Sequence, residues 1–184
     1  MDVGRGPDWA FLGRRVSRSG RPERIRAAAI LFGVSFEARY VNISTRLPIG
    51  KYFTRLHGVI FRRTGGRVMG TFFGAPVLLL EVVGRRSGLV RTTPIIYLLD
   101  GDTPVVIASN GGAPRTPTWW LNLRAAGTAH VVRRGEPRYQ VRVRELAGEE
   151  RDRAWAAFSR MYPAIDEYRT FTTRELPMLA LERV

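Results

Sequence analysis

Two kinds of hydrophobic periodicity divide this chain. From Pro22, apolar or aromatic residues fall at Ile25, Ala29, Phe32, Phe36, Tyr40, Ile43 and Leu47. Steps of three and four trace one face of a helix. Pro22 suits a first helical turn and Pro48 ends the pattern. A second helix is predicted next, with Tyr52, Phe53, Leu56, Val59 and Ile60 on one side and Lys51, Arg55, Arg62 and Arg63 around them. The Gly65-Gly66 pair stops it.

After Gly74 the period shortens. Strands are predicted at 76–83, 91–99 and 104–109, separated by a loop at 84–88 and a tight Asp100-Gly101-Asp102 turn, and ending at Asn110-Gly111-Gly112. A short helix at 117–126 carries Trp119, Trp120 and Leu123. A hairpin of 129–134 and 138–145 turns at Gly135-Glu136, and in its second strand Tyr139, Val141 and Val143 alternate with Gln140, Arg142 and Arg144. A helix from Gly148, carrying Trp155, Phe158 and Met161, stops at Pro163, and a strand at 177–181 closes the pattern. Five or six strands with a few short helices, and no strand–helix alternation, predict a mostly β fold built as a small barrel.

Composition narrows the chemistry. Apolar residues make up 45% of the 184 residues, as in a globular protein, and cysteine is absent, so disulfides, thiolate metal sites and thiol nucleophiles are excluded. His57 and His130 lie far apart with no ligand partner at metal spacing, so no metal site is expected. The apolar run at 27–34 is too short to cross a bilayer, and no secretory signal is visible. A cytoplasmic protein is expected, with attachment to the inner face of the membrane as an added reading.

Net charge is +14, of which residues 1–70 carry +10. That asymmetry points to a polyanion or an anionic membrane surface as neighbour. Its plain alternative is a solvated basic face in an arginine-rich chain. Both predicted helices are basic and amphipathic, so each reads as a membrane-surface anchor or as a helix packed on the barrel. No nucleic-acid-binding motif accompanies the arginines, and nucleic acid is not an expected partner.

Two segments carry candidate chemistry. Gly84-Arg85-Arg86-Ser87-Gly88-Leu89-Val90-Arg91-Thr92-Thr93-Pro94 gathers arginines and hydroxyls on a tight turn between strands. Such forks and exposed amides are what a phosphate or carboxylate requires. Ala108-Ser109-Asn110-Gly111-Gly112-Ala113-Pro114-Arg115 ends a strand in a glycine pair, where a planar ligand can approach the backbone. Pro117-Thr118-Trp119-Trp120-Leu121-Asn122-Leu123 then brings an indole beside it, one of the two tryptophans being read as core.

In order and spacing these segments, with MYP and the closing LPMLALE strand, resemble the deazaflavin-dependent nitroreductase and quinone reductase family. The resemblance runs from about Arg46 to Val184. It implies a split β-barrel like that of flavin-mononucleotide-binding oxidases at 46–184, with 1–45 as a basic arm and amphipathic helix. It also implies coenzyme F420 as cofactor, a deazaflavin with a phosphodiester and an oligoglutamate tail, in preference to FMN. By position Arg86, Ser87 and Arg91 would hold phosphate and tail, with Arg85 nearby and Thr93 and Pro94 bordering the cofactor. Ser109, Asn110, Gly111 and Gly112 would line the ring, with Trp119 and Asn122 completing the pocket. A quinone-like acceptor would stack on the ring, bounded by Tyr162 and Tyr168, where a tyrosine hydroxyl could bond the acceptor oxygen or relay a proton.

The chain departs from the family pattern at Ile165, where quinone- and nitroimidazole-reducing members resemble one another in carrying an aromatic, and at Asn110, where some carry lysine. The first bears on nitroimidazole activation and the second on a cationic contact. Hydride transfer from reduced deazaflavin to a quinone or similar conjugated acceptor is the leading expectation. A non-catalytic deazaflavin or flavin carrier of the same fold is the alternative. Missing triads, carboxylate pairs and metal sets are consistent with chemistry supplied by the cofactor ring.

Overall fold

The computed structural model describes residues 50–184 together with Ala38 and Val41, both helical, with Ala38 buried. The basic arm and the predicted helical face from Ile25 to Leu47 lie outside the described residues.

The described chain runs α1 (Gly50–Arg63), β1 (Thr71–Phe72), β2 (Ala75–Val83), β3 (Val90–Asp100), β4 (Thr103–Ile107), α2 (Thr118–Ala126), β5 (Thr128–Val132), β6 (Tyr139–Glu145), α3 (Gly148–Met161), α4 (Ala164–Tyr168) and β7 (Met178–Arg183). Strand order is β1-β2-β3-β4-β7-β6-β5, and β5 pairs back onto β2. Six antiparallel strands, β2 to β7, thus close into a barrel, with β1 a two-residue ribbon on the outside of β2. Closure leaves none of the six with an open edge.

Alternation fills the barrel. Leu78, Leu80 and Val82 of β2 point inward against Val106, Ala129, Val131, Val141, Leu179 and Leu181. The predicted alternation of β6 holds, with Tyr139 and Val141 buried, Val143 half-buried, and Gln140, Arg142 and Arg144 exposed. Trp120 and Leu123 of α2 join this core, so Trp120 is the core member of the tryptophan pair. Arg133 lies over the rings of Tyr97 and Tyr139 at 5.8 and 5.9 Å and pairs with Glu136. Burial raises the pKa of both phenols.

The predicted strands are present with ends moved by one or two residues. Three short elements went unpredicted: β1, a 3-10 turn at Asn110–Gly112, and α4, which follows the expected stop at Pro163. Proline is tolerated where a helix begins, and Pro163 caps the N-terminus of α4.

Helix α1 lies on the outer face of β3. Over residues 54–63, His57, Gly58 and Phe61 are buried and Ile60 half-buried, whereas Leu56 and Val59, on the predicted apolar side, are 57% and 44% exposed. Gly58 allows the close approach, because a Cβ there would already stand 3.7 Å from the Thr92 methyl. One turn on, Arg62 donates to Thr92 Oγ1 at 2.7 Å and to Glu81 at 2.5 Å.

Candidate functional site

The basic loop is a built turn. Ser87 N and Gly88 N donate to Gly84 O at 3.1 and 2.8 Å, and Gly84 N donates to Leu89 O at 2.9 Å. Gly84 is required, since a Cβ there would stand 2.7 Å from Ser87 Oγ and 3.1 Å from Leu89 O. Arg91 Nη2 donates to Ser87 Oγ at 3.4 Å across the turn. Arg85, Arg86, Ser87 and Arg91 are all exposed.

Asn122 ties this loop to α2. Its buried side-chain oxygen accepts from Arg85 N at 3.3 Å and from Arg85 Nη1 at 3.2 Å. Trp119, half-buried one turn earlier, packs against the barrel core. On β3, Thr93 pairs with inward-facing Leu80 and Pro94 with Leu79. By the strand's alternation Thr93 and Pro94 therefore present their side chains to opposite faces.

The second cluster is the glycine turn with the tyrosines. Asn110, Gly111 and Gly112 have φ of 50°, 61° and 72°. Gly111 and Gly112 are buried, Ser109 and Asn110 half-buried. A Cβ on Gly112 would stand 2.5 Å from Tyr168 O and 3.0 Å from Phe171 Cβ, so only glycine lets this turn sit against the end of α4. Tyr162 and Tyr168 are 1% and 3% exposed, meet edge to face, and share a hydrogen bond of 2.9 Å between hydroxyls. Asn110 Nδ2 donates to Arg115 O at 3.1 Å, and Ile165 lies in the core beside the tyrosines.

The predicted residues thus assemble into two groups: Arg85, Arg86, Ser87, Arg91 and Asn122 in one, residues 109–112 with Tyr162 and Tyr168 in the other. No hydrogen bond among the described residues joins them. They are connected along the chain by residues 113–117, which lead from the turn into α2.

Arg174 was not anticipated. Its Nε donates to Ala113 O at 3.0 Å, Nη1 to Ala108 O at 2.9 Å, and Nη2 to Ser109 O. In a chain whose thirty basic residues are all arginine but one, nothing in its sequence neighbourhood distinguishes it.

Glu81 was also missed. It is buried, yet accepts from Arg62 at 2.5 Å and Arg138 at 2.8 Å. Burial opposes its ionisation, but those hydrogen bonds outweigh it and hold the carboxyl below its ordinary pKa. A cavity of about 460 Å³ opens beside it, lined by Phe61, Arg62, Val132, Arg133 and Arg138 among others. None of the sequence-predicted site residues lines it.

Charge separates the arginines. Among the described residues, Arg62, Arg133, Arg138, Arg144, Arg151 and Arg153 pair with carboxylates. Among the described residues, Arg85, Arg86 and Arg91 pair with none. Three unneutralised guanidiniums with a hydroxyl on one turn fit a ligand bearing phosphate and carboxylates. No group of acidic or histidine residues that could hold a metal occurs among the described residues.

A closed six-stranded antiparallel barrel with short helices, an exposed arginine turn and a buried glycine turn is a split-barrel fold, and the comparisons with known proteins make its class specific. The sequence profile of the F420H(2)-dependent quinone reductase family matches residues 53–183. An F420H(2)-dependent quinone reductase of Mycobacterium tuberculosis (strain ATCC 25618 / H37Rv) is 32% identical over 144 residues, covering 73% of this chain and 93% of that protein. A solved F420-H2 dependent reductase, FDR-A, superposes with a TM-score of 0.53 at 33% identity, covering 58% of this chain and 94% of that one. A solved domain-swapped dimer superposes with a TM-score of 0.56 at 28% identity, covering 71% and 97%. The chain belongs to the F420H(2)-dependent quinone reductase family. It is an oxidoreductase whose cofactor is coenzyme F420.

Proposed function

We propose that residues 84–91 hold the phosphate and acidic tail of F420 and that residues 109–112 support its ring, the two groups being bridged by the cofactor itself. The observation that carries this reading is the clustering of three exposed guanidiniums, Arg85, Arg86 and Arg91, about one built turn with Ser87, with no carboxylate paired to them among the described residues. Ser87 adds a hydroxyl donor, and Asn122 fixes the loop's position on α2. Trp119 and the Thr93 side of β3 bound the ring's surroundings, with Pro94 contributing from the other strand face. The domain that does this is the barrel with its preceding helix, residues 46–184.

When bound in its reduced form the cofactor supplies hydride to the acceptor. The protein's part is placement and exclusion of water. Gly112 brings the turn against the Tyr168 carbonyl, and in this reading the acceptor stacks over the ring on the side of the Tyr162–Tyr168 hydroxyl pair. One hydroxyl donates to the other, and such a pair can pass a proton to a reduced acceptor oxygen without moving heavy atoms. A quinone, whose oxygens gain protons on reduction, is the acceptor this arrangement favours. Ile165 supplies bulk but no ring on the same helix, which counts against nitroimidazoles.

Helix α1 supports a peripheral membrane setting on the cytoplasmic side. Leu56 and Val59 project away from the barrel, with Arg55 and Arg63 exposed alongside. Apolar and cationic groups on one outward face suit an anionic bilayer, where lipid-soluble quinones reside. No described helix is long and apolar enough to cross a membrane.

The test is a fluorescence titration of F420 into the full chain, followed by oxidation of the reduced cofactor against a naphthoquinone, an enone and a nitroaromatic. Saturable binding with fastest turnover on the quinone is expected. Binding with no turnover on any acceptor would replace the reductase with a carrier. Flotation with anionic and neutral vesicles tests the membrane face, and a chain that stays unbound to both removes that part.

A further inference from the structure

The turn that supports the ring is conformationally expensive. Ser109 is right-handed, with φ −77°, and Asn110, Gly111 and Gly112 follow with φ of 50°, 61° and 72°. Glycine adopts such angles freely, but Asn110 does so at some cost. Arg174 gathers the carbonyls on both flanks of the turn, Ala108 and Ser109 before it and Ala113 after it, and adds Glu175 O at 3.1 Å. No carboxylate pairs with it among the described residues, and desolvation lowers its pKa. A half-buried cation satisfied by backbone carbonyls is costly to keep, unless those carbonyls need to be held.

A peptide's C=O and N–H point in opposite directions. Fixing Ser109 O on Arg174 therefore turns the Asn110 N–H away from the guanidinium. That amide makes no backbone hydrogen bond among the described residues. We infer that Arg174 is a positioning residue for the cofactor: it clamps the turn from behind and aims the Asn110 amide at the bound ring as a hydrogen-bond donor. The inference rests on the reading that residues 109–112 carry the ring.

The experiment uses full-length Arg174→Ala and Arg174→Lys. F420 affinity, KM and kcat are measured with and without millimolar guanidinium chloride, and amide hydrogen exchange at Gly112 and Ala113, which donate to Ser109 O and Asn110 O, is measured without ligand. Losing a charged donor shared by several carbonyls should raise Kd and KM for the cofactor about tenfold in Arg174→Ala. kcat should stay within about twofold, since the chemistry belongs to the ring. Added guanidinium ion should restore part of the affinity of Arg174→Ala and leave the wild type unchanged. Arg174→Lys should fall between, because one ammonium cannot span both flanks. Both turn amides should exchange faster in each variant.

A folded Arg174→Ala protein with wild-type cofactor affinity overturns the inference, as does a fall in kcat alone. If Arg174→Ala does not fold, Arg174→Lys decides by the same readouts. If the wild type fails to bind F420, the cofactor reading falls, and exchange at Gly112 and Ala113 then judges the clamp alone. Unchanged exchange in Arg174→Lys would refute it.

Discussion

Asn122, on a helix in the middle of the chain, accepts through one oxygen both the backbone amide and the guanidinium of Arg85, at 3.3 and 3.2 Å. A neutral acceptor is the right choice here, because it anchors the arginine without cancelling its charge. Two substitutions separate those effects. Asn122→Ala should cost about 1–2 kcal/mol of stability, read by denaturant unfolding, and weaken cofactor binding as the loop loosens. Asn122→Asp should keep most of the stability, since a carboxylate still accepts both bonds. It should nonetheless lower F420 affinity about tenfold by neutralising Arg85 beside an anionic ligand.

Arg86 makes no side-chain hydrogen bond among the described residues, and Arg91 only the long one to Ser87 Oγ at 3.4 Å. Arg86→Ala and Arg91→Ala should each raise the cofactor Kd about tenfold with little change in melting temperature. Because these groups are exposed, affinity should also fall as salt rises, and less steeply in the variants than in the wild type. Wild-type affinity in both variants would remove the loop from the site.

The shared hydroxyl bond of Tyr162 and Tyr168 predicts coupled effects. Each tyrosine-to-phenylalanine change should lower kcat on a quinone about tenfold or more, with cofactor affinity little altered. In a double-mutant cycle on stability the two should interact by about 0.5–1 kcal/mol, as directly contacting groups do. Additive effects on both kcat and stability would mean the pair does not act as a unit.

Acid should act on the outer face before the barrel. Burial lowers the His57 pKa below its ordinary 6.5, so the unfolded chain binds the proton more readily. Stability is then full above pH 6.5 and declines as pH falls below that value towards the folded pKa. Glu81 adds a second loss below its ordinary 4.5, as protonation releases Arg62 and Arg138. Equilibrium unfolding against pH should show two slopes, the upper absent in a folded His57→Gln protein and the lower absent in Glu81→Gln.

The barrel was readable because period-two alternation and glycine turns are local signals. The strand at 138–145 shows this best, its inward and outward residues falling where the pattern put them. Helix α1 shows the limit. Leu56 and Val59 belong to its predicted apolar side yet are exposed, while over residues 54–63 the buried positions are a histidine, a glycine and one phenylalanine. What decides that choice is the partner surface, with Thr92 admitting Gly58 and Glu81 drawing Arg62, and no periodicity encodes a partner. The candidate site divides the same way. The basic turn and the glycine pair are contiguous in sequence and announce themselves. The bond from Arg85 to Asn122 and the seating of Gly112 on Tyr168 join residues dozens of positions apart; the family resemblance named the residues, but nothing in the sequence announced the contacts. Arg174 had no signal at all.

Strand β7 lies between β4 and β6 and is the last strand in chain order. The segment leading into it carries the guanidinium that gathers residues 108–113. During synthesis, then, the turn at 109–112 cannot be gathered until residues 174–183 have emerged and paired, however early the preceding hairpins form. A molecule cut before residue 174 would therefore lose, in one stroke, the guanidinium that gathers the carbonyls about that turn and the strand that joins β4 to β6.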